Sequence, residues 1–270
     1  MKHADDVAGV GGHELAATLD AVCRPGAEAI AARYARLADV RATAKPDGSS
    51  VTEADLQANR LITAGLRARF PEWPVVSEED PDSHLTLGSD RYWLLDPLDG
   101  TREFLAGTGE FCTCVALVEG GVPVFGFISV PLTGESFYAW RGAGAAYAQN
   151  PGRQPRRRLT RDGPLARSSP RLRVGVSRHH RDGATGDFLG ALADPVAVPM
   201  GSALKFCAIA EGRLDVYVRY GPTMHWDTAA GQCLLEAIGF GVRDLATGRP
   251  LRYDTPSRRN PAFLAGPFPP

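Results

Sequence analysis

The sequence predicts a mixed α and β protein built in layers, and three observations carry that prediction. Apolar residues at helical spacing dominate the first seventy positions. From Pro74 the pattern changes to short apolar runs separated by turn signals, and beyond about residue 171 such runs alternate with helical stretches. The 270 residues hold 44% apolar side chains and 30 basic groups against 31 acidic ones. That is an ordinary globular composition of one or two domains, able to bury about three quarters of its unfolded surface without a disulfide or metal staple.

Taken in order, Thr52 with Asp55 three positions later resembles a capping box. Ala58, Leu61, Ile62 and Leu66 then share one helical face until Phe70-Pro71 ends it. Val75-Val76, Tyr92 to Leu95, Phe111 to Val118, Val122 to Val130 and Ser136 to Trp140 read as strands of an antiparallel meander, divided by turns such as Gly120-Gly121 and Thr133-Gly134. In the second half, Leu172 to Val176, Val196 to Val198 and Leu214 to Val218 read as strands. Helices are expected near Phe188, from Ser202 to Glu211 and from Trp226 to Ile238. This gives an N-terminal α+β part over 1–152, an arginine-rich connection over 153–170 and a C-terminal α/β part over 171–270.

Composition excludes several classes. No apolar run approaches the roughly 18 residues of a spanning helix. Asp5 and Asp6 stand where a secretion signal would be apolar, so a cytoplasmic protein is expected. The five cysteines (Cys23, Cys112, Cys114, Cys207, Cys233) are odd in number and lack a Cys-x-x-Cys pair, which argues for reduced, buried thiols. Cys112 and Cys114 alternate along one strand and share a face, read as core rather than metal binding. Only three of the basic residues are lysines (Lys2, Lys45, Lys205). Arg153 to Asp182 holds ten arginines and two acids. A nucleic-acid arm and a solvated connection both fit this segment; with no aromatic residue among the arginines to stack a base, the connection is favoured.

Chemistry concentrates in Tyr92-Trp93-Leu94-Leu95-Asp96-Pro97-Leu98-Asp99-Gly100-Thr101-Arg102-Glu103-Phe104. An apolar strand delivers Asp96, Pro97 bends the chain, and Asp99 can point back to the same spot beside the Leu98 carbonyl. Carboxylates this close repel and recruit a hard cation, and an all-oxygen set suits Mg²⁺ or Mn²⁺ better than zinc. Gly100 and Thr101 follow where a tight turn can aim backbone amides at an anion. Alone, Asp-x-x-Asp is a common turn, Asp55 and Asp227 are helix caps and Glu78 is a strand-end charge. The ordered set Val51-Thr52-Glu53-Ala54-Asp55, Ser77-Glu78-Glu79, the central motif and Trp226-Asp227-Thr228-Ala229-Ala230-Gly231 has no such explanation.

That set, from about Lys45 to about Gly239, resembles the inositol monophosphatase superfamily of Mg²⁺-dependent phosphatases. Within it the sequence is most similar to the 3'(2'),5'-bisphosphate nucleotidase group. Three stretches carry that likeness: Arg102-Glu103-Phe104 after Asp-Gly-Thr, Gly201-Ser202-Ala203-Leu204-Lys205-Phe206-Cys207, and Tyr220-Gly221-Pro222-Thr223. The resemblance implies a layered αβαβα sandwich in two lobes with the metals between them. It implies Glu78, Asp96, the Leu98 carbonyl, Asp99 and Asp227 as ligands of two Mg²⁺ ions, a third through Glu78 being left open. Asp55 and Thr101 become the pair that holds and activates water, and the Gly100 and Thr101 amides the holders of phosphoryl oxygens. Ser202 and Lys205 become substrate contacts. Where inositol phosphatases carry an acid seven residues before the Trp-Asp aspartate, this chain has Tyr220 beside Arg219, and a cation suits a second phosphate better than a polyol.

The activity implied is removal of the 3'-phosphate of adenosine 3',5'-bisphosphate without a covalent intermediate. An inositol or sugar monophosphatase on the same framework is the alternative, and a nucleic-acid-binding protein with a disused metal site ranks below both. The partner expected is a small nucleotide, with no membrane or nucleic acid, and a homodimer by resemblance only. Lys205 also reads as a plain helix charge, and Lys45 as either a solvated loop lysine or one leaning toward the acids. His179 and His180 are weak candidates for a base pocket; His225 is given no catalytic role and Trp226 is read as a packing anchor.

Overall fold

The computed structural model describes residues 6–7, 9–45, 48–85, 89–150, 152–162, 171–178 and 183–268. Two short hairpins, β1 (Asp6–Val7) with β2 (Val10–Gly11) and β3 (Ala42–Ala44) with β4 (Ser50–Thr52), flank the first long helix, α1 (Gly12–Tyr34). Helix α2 (Glu53–Arg69) opens on the expected capping box. The Thr52 hydroxyl accepts from the Ala54 N–H (3.1 Å) and Asp55 Oδ2 accepts from the Thr52 N–H (2.8 Å). β5 (Val75–Ser77), β6 (Arg91–Asp99), helix α3 (Thr101–Leu105), β7 (Cys112–Glu119), β8 (Val122–Val130), β9 (Glu135–Trp140), β10 (Ala146–Asn150) and β11 (Gln154–Leu159) follow. The strands form one seven-stranded sheet in the order β11-β10-β9-β8-β7-β6-β5.

Two features differ from a pure meander ending at residue 152. β5 pairs with β6 in parallel, the connection between them, which includes the 3-10 turn Pro81–Leu85, serving as the crossover that a parallel pair needs. The stretch 154–159, expected in the connection over 153–170, is instead the edge strand β11. An edge strand exposed along Gln154–Arg158 shows no alternation in its sequence, and arginines are what such an edge tolerates. Of its arginines, Arg157 bridges Glu135 (2.9 Å) and Glu211 (2.7 Å), while Arg156 and Arg158 contact the Tyr138 hydroxyl and the Gly144 carbonyl. Further along, Arg171, Arg173 and Arg178 pair with Asp194, Asp215 and Glu110. Four of these guanidinium groups are thus paired with acids, which lowers the charge offered to a phosphate backbone. Residues 163–170 and His179 to Asp182 lie outside the described residues.

The second sheet is five-stranded, in the order β13-β12-β14-β16-β15: β12 (Arg173–Ser177), β13 (Val196–Met200), β14 (Val216–Arg219), β15 (Gly241–Asp244) and β16 (Phe263–Gly266). β12 pairs in parallel with β13 and β14, and β16 antiparallel with β14 and β15. Helices α4 (Gly183–Gly190), α5 (Leu204–Ala210) and α6 (His225–Ala237) match the three expected stretches.

Alternation along the strands shows how these pieces stack. On the first sheet Trp93, Leu95, Val115, Leu117, Phe125 and Phe127 join Leu19, Ala58 and Ile62 of α1 and α2 in one core. Leu94, Cys114, Ala116, Val118 and Ile128 join Phe206 of α5 and Leu234 of α6 in another, which also takes Tyr217, Phe263 and Ala265 of the second sheet. Val216 and Val218 point the other way, against Phe188 and Leu189 of α4. The order is therefore helices, sheet, helices, sheet, helix, the expected αβαβα sandwich. Gly126 lets α6 approach β8 closely, since a Cβ there would collide with the Ala230 carbonyl. No helix of the described residues is long and apolar enough to cross a membrane.

Candidate active site

A cavity of about 330 Å³ opens where the C-terminal end of β6, the entrance of α6 and the entrance of α5 converge. Its walls carry Glu78, Asp96, the Leu98 backbone, Asp99, Gly100, Thr101, Ser202, Lys205, Arg219 and Asp227. The register of β6 explains how Asp96 and Asp99 share a wall despite a three-residue spacing. Asp96 lies opposite Cys114 and Asp99 opposite Cys112, so one extra residue on β6 forms a bulge at Pro97-Leu98. In a regular strand, with no bulge, a three-residue spacing would send the two carboxylates to opposite faces. The Leu98 N–H then donates to Asp96 Oδ1 (3.0 Å), and Gly100 (φ 100°) turns the chain into α3.

One carboxylate oxygen from each of Glu78, Asp96 and Asp227 lies within 4.8 Å of the others. Asp96 is buried and the other two partly buried. Each is held by its own element: the Glu78 N–H follows β5 and donates to Leu95 O (3.1 Å), while Asp227 Oδ2 accepts from the Met224 N–H at the mouth of α6 (2.8 Å). Burial, then Glu78, Asp99 and Asp227, push the Asp96 carboxyl well above the ordinary carboxylate range. Burial, then Asp99 and Glu78, do the same to Asp227. Asp99 stands apart from this trio. Its Oδ2 accepts from the Ala203 N–H (2.5 Å) and its carboxylate groups with Cys112 and Cys114. Burial lifts Asp99 to about 6 against the opposing pull of Lys205 and the Ala203 amide.

Asp55 and Thr101 are brought together. The Thr101 hydroxyl donates to Asp55 Oδ1 (2.9 Å), and Asp55 Oδ2 accepts from the Thr52 hydroxyl (2.5 Å) and amide. Asp55 is only 1% exposed. Burial raises its carboxyl, against the lowering effect of these donors. Lys45 leans toward the acids rather than into solvent, its Nζ 2.7 Å from both Glu78 and Glu79. Burial would depress that ammonium, but the two glutamates hold it above its ordinary value; burial and Glu78 push Glu79 up to about 7.

Across the cavity, Lys205 is buried and donates to Met200 O (3.0 Å) and Ser202 O (2.8 Å), with its Nζ 4.7 Å from the centre of the Tyr217 ring. Burial and Arg219 bring it down to about 8 against the pull of Asp99. Two of its three protons are committed to backbone, so it braces the 200–202 turn, where Ser202 is left-handed (φ 52°). Arg219, 8% exposed, gives Nη2 to Pro222 O (3.2 Å) while its Nε has no partner among the described residues. Arg219 lines the cavity, so its guanidinium is placed to meet an anion there.

Trp226 is buried and stacks on His84 (4.9 Å), as a packing anchor would. His225 bonds Thr255 Oγ1 through Nε2 (3.0 Å), and burial pushes it down to about 4. Sequence reasoning passed over Arg259, which reaches the rim because Met224 and Arg259 form a bridge far apart in the chain, and over Glu110. Glu110 takes two bonds from Arg178 (3.1 and 2.7 Å) and one from the Gly201 N–H (2.9 Å), tying the two sheets together. Neither residue sits in a motif that would have signalled it.

The family model described as "Inositol monophosphatase family" matches residues 13–262. The chain is 39% identical over 251 residues to the 3'(2'),5'-bisphosphate nucleotidase CysQ of Escherichia coli, covering 91% of this chain and 98% of that protein. It is 34% identical to the CysQ of Buchnera aphidicola, covering 89% of each. Among solved structures, CysQ from Bacteroides thetaiotaomicron superposes with a TM-score of 0.79 at 32% identity, over 94% of this chain and 97% of that one. An IMPase from Thermotoga maritima superposes with a TM-score of 0.73 at 25% identity, over 94% and 92%. With a family match across nearly its whole length and the same layered fold, the chain belongs to the inositol monophosphatase family.

Proposed function

We propose that this protein is a Mg²⁺-dependent phosphomonoesterase that removes the 3'-phosphate of adenosine 3',5'-bisphosphate to give AMP and phosphate. The observation that carries this reading is the juxtaposition, in one cavity, of the Glu78, Asp96 and Asp227 carboxylates with Thr101, behind which Asp55 holds the hydroxyl proton. The donor set fits the metal. It is all oxygen, and Lys45 offsets Glu78 while Asp96 and Asp227 have no ion-pair partner among the described residues. Glu78, Asp96, the Leu98 carbonyl, Asp99 and Asp227 would hold the ions. When bound, Mg²⁺ would lower the pKa of a water and offset the charge of the phosphoryl oxygens.

The chain's own groups supply the rest. Because the Thr101 hydroxyl gives its proton to Asp55, its free lone pair is left to accept a hydrogen bond from the attacking water, and Asp55 is the proton sink behind it. Both of Asp55's oxygens are engaged, which fixes the direction of that lone pair. Gly100 and Thr101 line the same cavity, and their amides would orient phosphoryl oxygens. Arg219 would take the second phosphate, with Ser202 and Lys205 shaping the nucleotide side. The similarity to CysQ relatives supports the choice of substrate, and the size of the cavity supports a small nucleotide over a polymer.

Phosphate release from adenosine 3',5'-bisphosphate and from inositol 1-phosphate, each with Mg²⁺ and with EDTA, tests the proposal. Mg²⁺-dependent turnover that favours the bisphosphate is expected. Equal turnover of the two would leave a general phosphomonoesterase, and release that persists in EDTA would end the metal reading.

A further inference from the structure

The carboxylate trio leaves one cluster unused. Cys112 and Cys114 sit on the face of β7 opposite Asp99 and Asp96, their Sγ atoms 3.9 Å apart. Cys112 Sγ is also 3.8 Å from Asp99 Oδ2 and 3.6 Å from Ser202 Oγ. One atom from each of Asp99, Cys112 and Cys114 lies within 4.8 Å of the others. In a tetrahedral zinc site with bonds of about 2.3 Å to sulfur and 2.0 Å to oxygen, neighbouring ligands stand about 3.8 Å (S to S) and 3.5 Å (S to O) apart. The Cys112–Cys114 and Cys112–Asp99 spacings are close to those edges, and the Cys114–Asp99 spacing is within 4.8 Å.

From this we infer that Asp99, Cys112 and Cys114 form a binding site for a soft divalent cation, Zn²⁺ or Cd²⁺, behind the cavity wall. Asp99 and Ser202 line the cavity, so the cation reaches the buried thiols from that side. Two metal–sulfur bonds and one metal–oxygen bond form, both thiol protons leave to solvent, and the fourth position is open to Ser202 Oγ or water. Hard Mg²⁺ does not compete for two thiolates. The site itself is independent of the proposed function. Its consequence, inhibition by withdrawing Asp99 from the hydrolytic carboxylates, rests on that reading.

The test uses the full chain with a phosphine reductant and saturating Mg²⁺, so that the oxygen sites are occupied and the thiols reduced. Titration with Cd²⁺ should give one equivalent with an ultraviolet thiolate-to-metal charge-transfer band. Cys114→Ser should weaken this binding by at least about tenfold, since losing a ligand costs no less than losing its supporting shell. Cys112→Ser/Cys114→Ser should abolish it, and Cys207→Ser should leave it intact. In parallel, Zn²⁺ should inhibit the parent at concentrations that rise with Mg²⁺, because the two ions contest Asp99, while Cys114→Ser resists. Absence of the band in the parent, or its survival in the double variant, overturns the site. Circular dichroism checks that the double variant is folded, and the two single variants decide the matter if it is not. Zn²⁺ bound without inhibition overturns the consequence alone. A parent that binds Cd²⁺ through sulfur yet hydrolyses neither phosphate ester overturns the proposed function and leaves the site standing.

Discussion

Replacing Asp96 by Asn should stabilise the metal-free protein while abolishing its response to Mg²⁺. Oxygens of Glu78, Asp96 and Asp227 lie within 4.8 Å of each other. At an effective dielectric constant near 20, two unit charges at that distance repel by about 3.5 kcal/mol. The protein can evade part of this by keeping a carboxyl protonated, but at pH 7 that costs about 4 kcal/mol against an unfolded aspartate of ordinary pKa near 3.9. Both routes give the same scale, so relief of about 3 kcal/mol is expected in EDTA. For a chain of this length that corresponds to roughly 6 to 12 °C in Tm. The hydrogen bond from the Leu98 N–H survives, because an Asn Oδ1 accepts it equally well. Scanning calorimetry at pH 7.5, with EDTA and with Mg²⁺, reads both effects. Mg²⁺ should raise the parent's Tm and leave Asp96→Asn nearly unmoved. A variant that melts below the parent in EDTA, or gains as much from Mg²⁺, would refute the claim that the cluster is a repulsive cage for a cation.

Further outcomes follow from the same geometry. Thr101→Val should lower kcat by about 10²- to 10⁴-fold, the usual contribution of a positioned proton acceptor, while Thr101→Ser retains most activity; equal losses would make Thr101 a packing residue. Asp99 titrates near 6 in the folded protein and near 4 when unfolded, so the folded state binds its proton more tightly. The metal-free protein should therefore lose stability from this group as pH rises from about 4 to about 6, whereas Mg²⁺ affinity should rise over that interval; denaturant melts and calorimetric titrations at pH 5 and 7.5 check the opposite signs. Arg219→Met should raise KM for adenosine 3',5'-bisphosphate far more than for a monophosphate ester, and a uniform rise would remove its assignment to the second phosphate. Arg157→Ala breaks only exposed pairs with Glu135 and Glu211, so it should cost no more than about 1 kcal/mol and leave turnover near normal by steady-state assay.

How much of this was legible depended on whether a residue's role is local. The capping box at Thr52 and Asp55 and the apolar runs of β6 to β9 are written in neighbouring residues, and the layered fold follows from them. β11 was not legible, because an exposed edge strand has no buried face to impose alternation, and Arg156-Arg157-Arg158 reads as a solvated link until its partners are known. β15 and β16 are four residues each, too short to show a period, and they become strands only by pairing across the second sheet. In the site, the approach of Glu78, Asp96 and Asp227 was expected from the family resemblance that the motifs carry. That Asp99 would turn to the Ala203 amide was not, since the partner lies 104 residues away.

That last contact bears on how the two sheets act together. Asp99 ends a strand of the first sheet, while Ala203 opens the helix that follows β13 of the second. Glu110, just before β7, holds Gly201 and Arg178 on the same side of the gap. The turn 200–203 is thus fixed at Gly201 and Ala203 by carboxylates of the first sheet, and from within by Lys205. A cation that draws on Asp99 Oδ2 would loosen its bond to Ala203, and with it the turn that carries Ser202. Metal loading and substrate-side geometry would then be linked through a single carboxylate. Alterations at Glu110, though outside the hydrolytic carboxylates, should move Mg²⁺ affinity and substrate KM together: Glu110→Gln keeps an acceptor for the Gly201 N–H and should change both by less than Glu110→Ala, as parallel titrations would show. Independent responses of the two constants would break the link.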